Sequence, residues 1–224
     1  MKKIIIVTGA NKGLGKAFID LALQDENSVI FSISRELHKD HLSVDADKLI
    51  LIKTDLSKSF SDAFLKVING VVTEHSVFYI FNNAGIILPI NKVGNFSISE
   101  IEKSVAVNVT YPVNLVNSFL AEFSGYGMTI VNISSGAGNN AISHWSLYGA
   151  SKAYMAMFFK VLKEENIENL TIFNVDPGVL DTGMQESIRN SSFPKQDDFI
   201  AFKDNNVLKA PLHAAKSIFK EINF

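Results

Sequence analysis

Short, unbroken apolar runs alternate along this chain with longer stretches in which hydrophobic residues recur every three or four positions. Lys3-Ile-Ile-Ile-Val-Thr8 is continuous and β-branched, the pattern of a strand covered on both faces. Runs of the same kind at Ser28–Ser34, Lys48–Lys53, Val77–Phe81, Met128–Ser134 and Leu170–Val175 predict five further strands. Helical spacing predicts helices near Lys12–Gln24, Phe60–Thr73, Asn108–Phe123, Leu147–Glu165 and Pro211–Ile222. Strand and helix in alternation imply an α/β fold, a doubly wound, Rossmann-like parallel sheet with helices on both faces. Ligands of such sheets bind beyond the carboxyl ends of the strands, at the switch point of the topology.

No repeat, low-complexity tract or Pro/Gly/Ser linker divides the chain, and 224 residues suit one domain, 1–224, with a substantial core. The absence of cysteine excludes disulfides, thiolate nucleophiles and cysteine-held metals. The five histidines show no ligand spacing, so no metal is expected. A net charge of −2 with scattered lysines argues against a nucleic-acid or anionic-membrane partner. No apolar run approaches the roughly 18 residues of a spanning helix. Residues 1–8 read as a strand without cleavage-site chemistry after it, so a cytoplasmic enzyme is expected.

Two places carry chemistry. The first strand runs directly into Gly9-Ala-Asn-Lys-Gly13-Leu-Gly15 and then a helical pattern, the context in which glycines let backbone approach a pyrophosphate. A P-loop is excluded, because Lys16 is followed by Ala17 where Ser or Thr is required. The second place is Tyr148-Gly-Ala-Ser-Lys152. On a helix, residues four apart share a face. An ammonium beside a phenol favours the phenolate and lowers a pKa of about 10, which suits general acid–base work. Taken alone, the pair is also one turn of an ordinary amphipathic helix.

These segments together resemble the short-chain dehydrogenase/reductase family. Thr8 to Gly15 match its Thr-Gly-x-x-x-Gly-x-Gly turn, and Asn82 to Gly85 its Asn-Asn-Ala-Gly. Asn108 matches its helix asparagine, Ser135 its serine thirteen residues before the tyrosine, Tyr148 and Lys152 its Tyr-x-x-x-Lys pair, and Pro177, Gly178 and Thr182 its Pro-Gly followed by threonine. Within the family, Ile33-Ser-Arg35, Ser134-Ser-Gly-Ala137 and Asp176 to Gln185 look most like the bacterial sepiapterin reductase and benzil reductase group. Family members continue into a seventh strand for which no pattern stands here, so a six-stranded sheet is expected.

The resemblance implies roles. Ser135 would hydrogen-bond a substrate carbonyl oxygen and Tyr148 would protonate it. Lys152 would depress the tyrosine pKa and hold the nicotinamide ribose. Asn108 would anchor a water linking Lys152 to solvent, unless it is only a kink or packing device. The cofactor would contact Gly9, Asn11, Lys12, Gly13, Leu14 and Gly15 in the turn and Asn83, Ala84 and Gly85 after the fourth strand. Pro177, Gly178, Val179 and Thr182 would contact it after the sixth strand, with Asp55 and Leu56 at the adenine. The second strand ends in Ser34-Arg35 where NAD-binding members carry an acid, and Arg35 with Lys12 suits a 2′-phosphate, so NADP(H) is expected.

His144 and Trp145, between Ser135 and Tyr148, would wall a substrate pocket with Met184. Residues 183–205, rich in phenylalanine, would form its lid or pack on the body. An apolar, aromatic lid suggests an aryl or pterin-like ketone. Ala153-Tyr-Met-Ala-Met-Phe-Phe159 is apolar almost all round, as a thickly covered helix or a subunit face would be, and the resemblance implies a homodimer through it. The function expected is an NADPH-dependent carbonyl reductase of a ketone or diketone. The alternatives are a 3-oxoacyl or steroid-type reductase and a non-catalytic NADP(H)-sensing regulator, which would typically lose the tyrosine or lysine present here.

Overall fold

The computed structural model describes all residues, 1–224, as a parallel sheet between two helical layers. Its strands are β1 (Lys2–Thr8), β2 (Ser28–Ser34), β3 (Leu49–Lys53), β4 (Ser76–Asn82), β5 (Gly127–Ile133) and β6 (Leu170–Val175). They are ordered β3-β2-β1-β4-β5-β6, every neighbouring pair parallel. The chain winds outward from β1 in one direction and from β4 in the other. The crevice between those two strands is therefore the switch point where such sheets bind ligands.

The continuous apolar runs follow from burial on both faces. In β1, Ile4 and Ile6 point into one core layer and Ile5 and Val7 into the other, all fully buried. The first layer is closed by α4 (Tyr111–Glu122) and α5 (Ser146–Glu164), whose Leu115, Phe119, Met155 and Phe159 meet Phe31, Phe78 and Ile130 of the sheet. The second is closed by α1 (Gly13–Ala22) and α8 (Pro211–Glu221), where Phe18, Ile19, Ala215 and Ile218 pack on Ile30, Phe81 and Val131. Each such side chain contributes roughly 1.5–3 kcal/mol on burial, so these layers hold the strand ends in fixed register.

Two helices differ from the sequence expectation. The stretch predicted over Phe60–Thr73 contains regular α-helix only at Leu65–Asn69 (α2). Ser61 Oγ accepts from Ala63 N, and Leu65, Lys66 and Val67 donate three residues back, so the first turn is tight. The helix expected to begin at Asn108 begins ten residues earlier. Ile98–Val105 (α3) opens on a capping box in which Ser97 Oγ accepts from Glu100 N and Glu100 Oε2 accepts from Ser97 N at 2.8 Å. It runs through a π-helical turn, Ala106–Thr110, into α4. The lid segment also has structure of its own, α6 (Gly183–Arg189) and α7 (Gln196–Asp204).

Candidate active site

The glycine turn at the end of β1 is shaped for an anion. Gly9 and Gly13 have φ of +66° and +56°, and a Cβ on Gly15 would collide with Gly9 O and stand 2.6 Å from Asn83 Nδ2. Helix α1 then starts with no side-chain cap at Lys12 and no acid in its first turn, so its leading amides are free to face a phosphate. Thr8 and Asn83 lock the turn. Thr8 Oγ1 accepts from Asn83 N and Ala84 N, both at 3.0 Å, and Asn83 Nδ2 donates to Thr8 O at 2.9 Å. Across the crevice, the Thr182 side chain faces Gly13, with its methyl 3.2 Å from where a Cβ would stand. Gly9, Gly13 and Gly15 of the turn, Asn83 and Ala84 after β4 and Thr182 after β6 are thus brought together at the carboxyl end of the sheet.

At the groove's adenosine end the picture is mixed. Arg35 is exposed and lies close enough to Asp55 to help hold that carboxyl below its ordinary value, after the larger effect of hydrogen bonds from Ser57 N and Oγ at 3.0 and 2.8 Å. Ser34, by contrast, is buried and turned inward, its hydroxyl bonded to Ser32 Oγ and donated to Glu36 O. Lys12 reaches toward the start of α6, about 4.0 Å from a Cβ position on Gly183.

Tyr148 and Lys152 lie one turn apart on α5 at the end of β5. The facing serine is positioned by a close contact that spacing alone did not reveal. Ser135 leads into a tight turn, Gly136–Gly138, pressed against α5 so closely that a Cβ on Gly138 would stand 3.1 Å from Ala153 N. Gly149 completes the fit from the helix side, its Cβ position 3.0 Å from Ala137 O. Ser135 is thereby near enough to the Tyr148 hydroxyl to influence its protonation, while its own Oγ accepts from Ala137 N at 3.2 Å. That hydroxyl also lies 4.0 Å from Met184 Sδ of the lid.

The electrostatics of the pair follow from its surroundings. Burial pushes the Tyr148 phenol above its ordinary value. The nearby Ser135 hydroxyl draws it back, and the Asp176 carboxylate pushes it up. The Lys152 ammonium donates to Ile133 O at 2.6 Å and stands 5.7 Å from the centroid of the tyrosine ring. Desolvation brings Lys152 down to about 8, against the opposing pull of Asp176. The Asn108 side chain is hydrogen-bonded through both its oxygen and its nitrogen. Its Oδ1 accepts from Ile86 N at 2.9 Å, while Nδ2 donates to Ile86 O at 2.8 Å and Ser104 Oγ at 3.4 Å. The two bonds to Ile86 clamp the loop after β4, the contact with Ser104 ties the amide to α3, and Asn108 itself sits in the π-helical turn.

The lid closes over this end of the sheet. Trp145 stacks edge-on to Tyr148 at 5.9 Å and packs against Phe193 and Phe199 at 5.8 and 5.1 Å, in a small cluster with Ile87 and Ile188. The lid aromatics therefore pack on the body through Trp145, and Met184 is the lid residue that meets the phenol. His144 adopts φ of +73°, and both of its ring nitrogens and Trp145 Nε1 are buried without a hydrogen-bond partner. Polar atoms in that condition call for an explanation, and here they border the tyrosine.

A model of the short chain dehydrogenase family matches residues 3–192. The chain belongs to that family. It is also similar to two proteins named benzil reductase ((S)-benzoin forming). The protein from Bacillus subtilis (strain 168) is 32% identical over 217 residues, covering 93% of this chain and 88% of that one. The protein from Bacillus cereus is 30% identical, with 96% and 92% covered. Among solved structures, a short-chain dehydrogenase/reductase from Saccharomyces cerevisiae superposes with a TM-score of 0.81 at 28% identity, covering 94% and 86% of the two chains. The KRED1-Pglu enzyme has the same fold, with a TM-score of 0.84 at 24% identity and coverage of 96% and 92%. This chain is accordingly an oxidoreductase of CH–OH and C=O groups, built on a parallel six-stranded Rossmann-like sheet.

Proposed function

We propose that this protein is an NADPH-dependent reductase of neutral aryl ketones, with vicinal diketones of the benzil type as its preferred substrates. The observation that carries the reading is the Tyr148 hydroxyl, buried between Ser135 and Met184 under an aromatic lid. A phenol held above its ordinary value keeps its proton at neutral pH and can give it to a developing alkoxide. Ser135 orients the carbonyl oxygen, and Lys152, cationic below about 8, stabilises the negative charge left on the tyrosine. The bound nicotinamide supplies the hydride. The similarity to two proteins named benzil reductase supports the diketone class.

Preference for the 2′-phosphorylated cofactor is supported by Arg35, an exposed guanidinium at the end of β2 where a carboxylate would be needed for NAD. In the same reading the whole chain is one cofactor-binding domain with a lid at about 183–205. It pairs as a homodimer through the apolar outer face of α5. A screen of benzil, 1-phenyl-1,2-propanedione and simple aryl ketones, followed by NADPH absorbance, tests the function. Turnover confined to 3-oxoacyl or steroid substrates, or none with any carbonyl, would overturn it.

A further inference from the structure

We propose that Asp176 is a charge filter on the substrate, admitting neutral and cationic carbonyl compounds and rejecting anionic 2-oxo acids of the same skeleton. The inference rests on the carbonyl-reductase reading and narrows its substrate class. Asp176 follows the last residue of β6 and neighbours Ser134 of the adjoining strand, since Ser134 N bonds Val175 O at 2.8 Å. Its carboxylate lies against the turn that carries Ser135, with Oδ2 3.4 Å from a Cβ position on Gly136. Oδ1 accepts from Gly178 N at 2.9 Å, which fixes the group in place. The side chain is exposed and makes no ion pair.

The cations at this end of the sheet leave that charge standing. Lys152 is half-buried and turned toward Ile133 O. Lys209, whose ammonium stands 3.3 Å from a Cβ position on Gly178, forms no ion pair with Asp176. The field of Asp176 nonetheless reaches the reacting groups, for it pushes both Tyr148 and Lys152 upward. A substrate whose carbonyl oxygen meets Ser135 and Tyr148 must set one flank near Gly136, beside this carboxylate. A carboxylate on that flank would be repelled, and like charges a few ångströms apart near a protein surface weaken binding by about tenfold or more.

Benzoylformate and its methyl ester test the filter, because they share a skeleton and differ by one charge. Trp145, the single tryptophan, has its ring centroid 5.9 Å from that of Tyr148 and reports binding by its fluorescence whether or not turnover follows. Asp176→Asn keeps the acceptor for Gly178 N and removes only the charge. The wild type should bind the ester about tenfold more tightly than the acid. The variant should gain about tenfold for benzoylformate while its affinity for the ester stays within about twofold. Added salt should shrink the wild-type preference. Unchanged benzoylformate affinity in the variant, an equal change for both ligands, or a wild-type preference indifferent to salt each overturns the filter. Turnover of the ester with NADPH is followed separately, so a failure of the reductase reading is recognised apart from a failure of the filter.

Discussion

Tyr148 and Lys152 show how the surroundings of a residue decide its chemistry. Spacing places the two on one helix face, but it does not reveal that Lys152 turns to Ile133 O while burial and Asp176 set the phenol. Tyr148→Phe removes the proton donor and keeps the ring. It should lower kcat by a factor of order 10²–10⁴ with NADPH affinity retained, as steady-state rates and cofactor titration will check. The pH profile follows from the same groups. Reduction needs a protonated phenol and a charged Lys152. The phenol lies above its ordinary value, so Lys152, at about 8, loses its proton first as pH rises. kcat/KM for reduction should therefore be full below about 8 and fall above it. Because Asp176 pushes Lys152 upward, Asp176→Asn should move that limb to lower pH, and a limb that stays put would contradict the assignment. Arg35 is tested by charge removal. Arg35→Ala should weaken NADPH by about one to two decades and leave NADH nearly unchanged, measured by fluorescence titration. Equal weakening of both cofactors would reduce Arg35 to a surface charge.

Elements were legible where one local pattern determined them. The strand Ser28–Ser34 matches its predicted bounds and is buried along its whole length, and the edge strand Leu170–Val175 matches as well although Thr171 and Asn174 are exposed. Helix α3 was missed although Ser97-Ile-Ser-Glu100 is a capping-box sequence, since its apolar residues Ile98, Ile101 and Val105 are few and all face outward. The tight turn after Ser135 could not be read at all. Its position depends on Gly138 and Gly149 meeting across a tertiary contact, which local sequence does not encode. The glycine turn after β1 gives the element-scale prediction. A methyl group on Gly15 must displace Gly9 O or the Asn83 amide that holds Thr8. Gly15→Ala should cost roughly 1–3 kcal/mol of stability by overpacking, seen in denaturant melts. It should weaken NADPH by at least about tenfold, since about 1.4 kcal/mol of lost phosphate contact is a decade. Wild-type affinity in that variant would mean the turn does not receive the pyrophosphate.

For the whole molecule, the open question is what covers the outer side of α5. Along that helix Met155, Phe159 and Leu162 are buried in the core, while Tyr154, Met157 and Val161 are 51%, 59% and 53% exposed. The sequence reading could not separate a thickly covered helix from a subunit face, because both are apolar all round. The structure assigns the inner residues to the core and leaves an apolar stripe outward, continued by Ile101 and Val105 on the neighbouring α3. Contiguous apolar surface of this kind on a folded protein marks an association site. A helix that presents the same stripe to its own copy about a two-fold axis gives a closed dimer, with each residue meeting its counterpart region. Met157→Glu would then bring like charges toward one another inside an apolar contact, where desolvation makes a carboxylate costly. The core should not be disturbed, since Met157 faces away from it. The expected outcome is a dimer for the wild type and a monomer for Met157→Glu by light scattering, with thermal unfolding of the monomer remaining cooperative. A wild-type monomer, or a dimer that the glutamate leaves intact, would show that this stripe is not the subunit face.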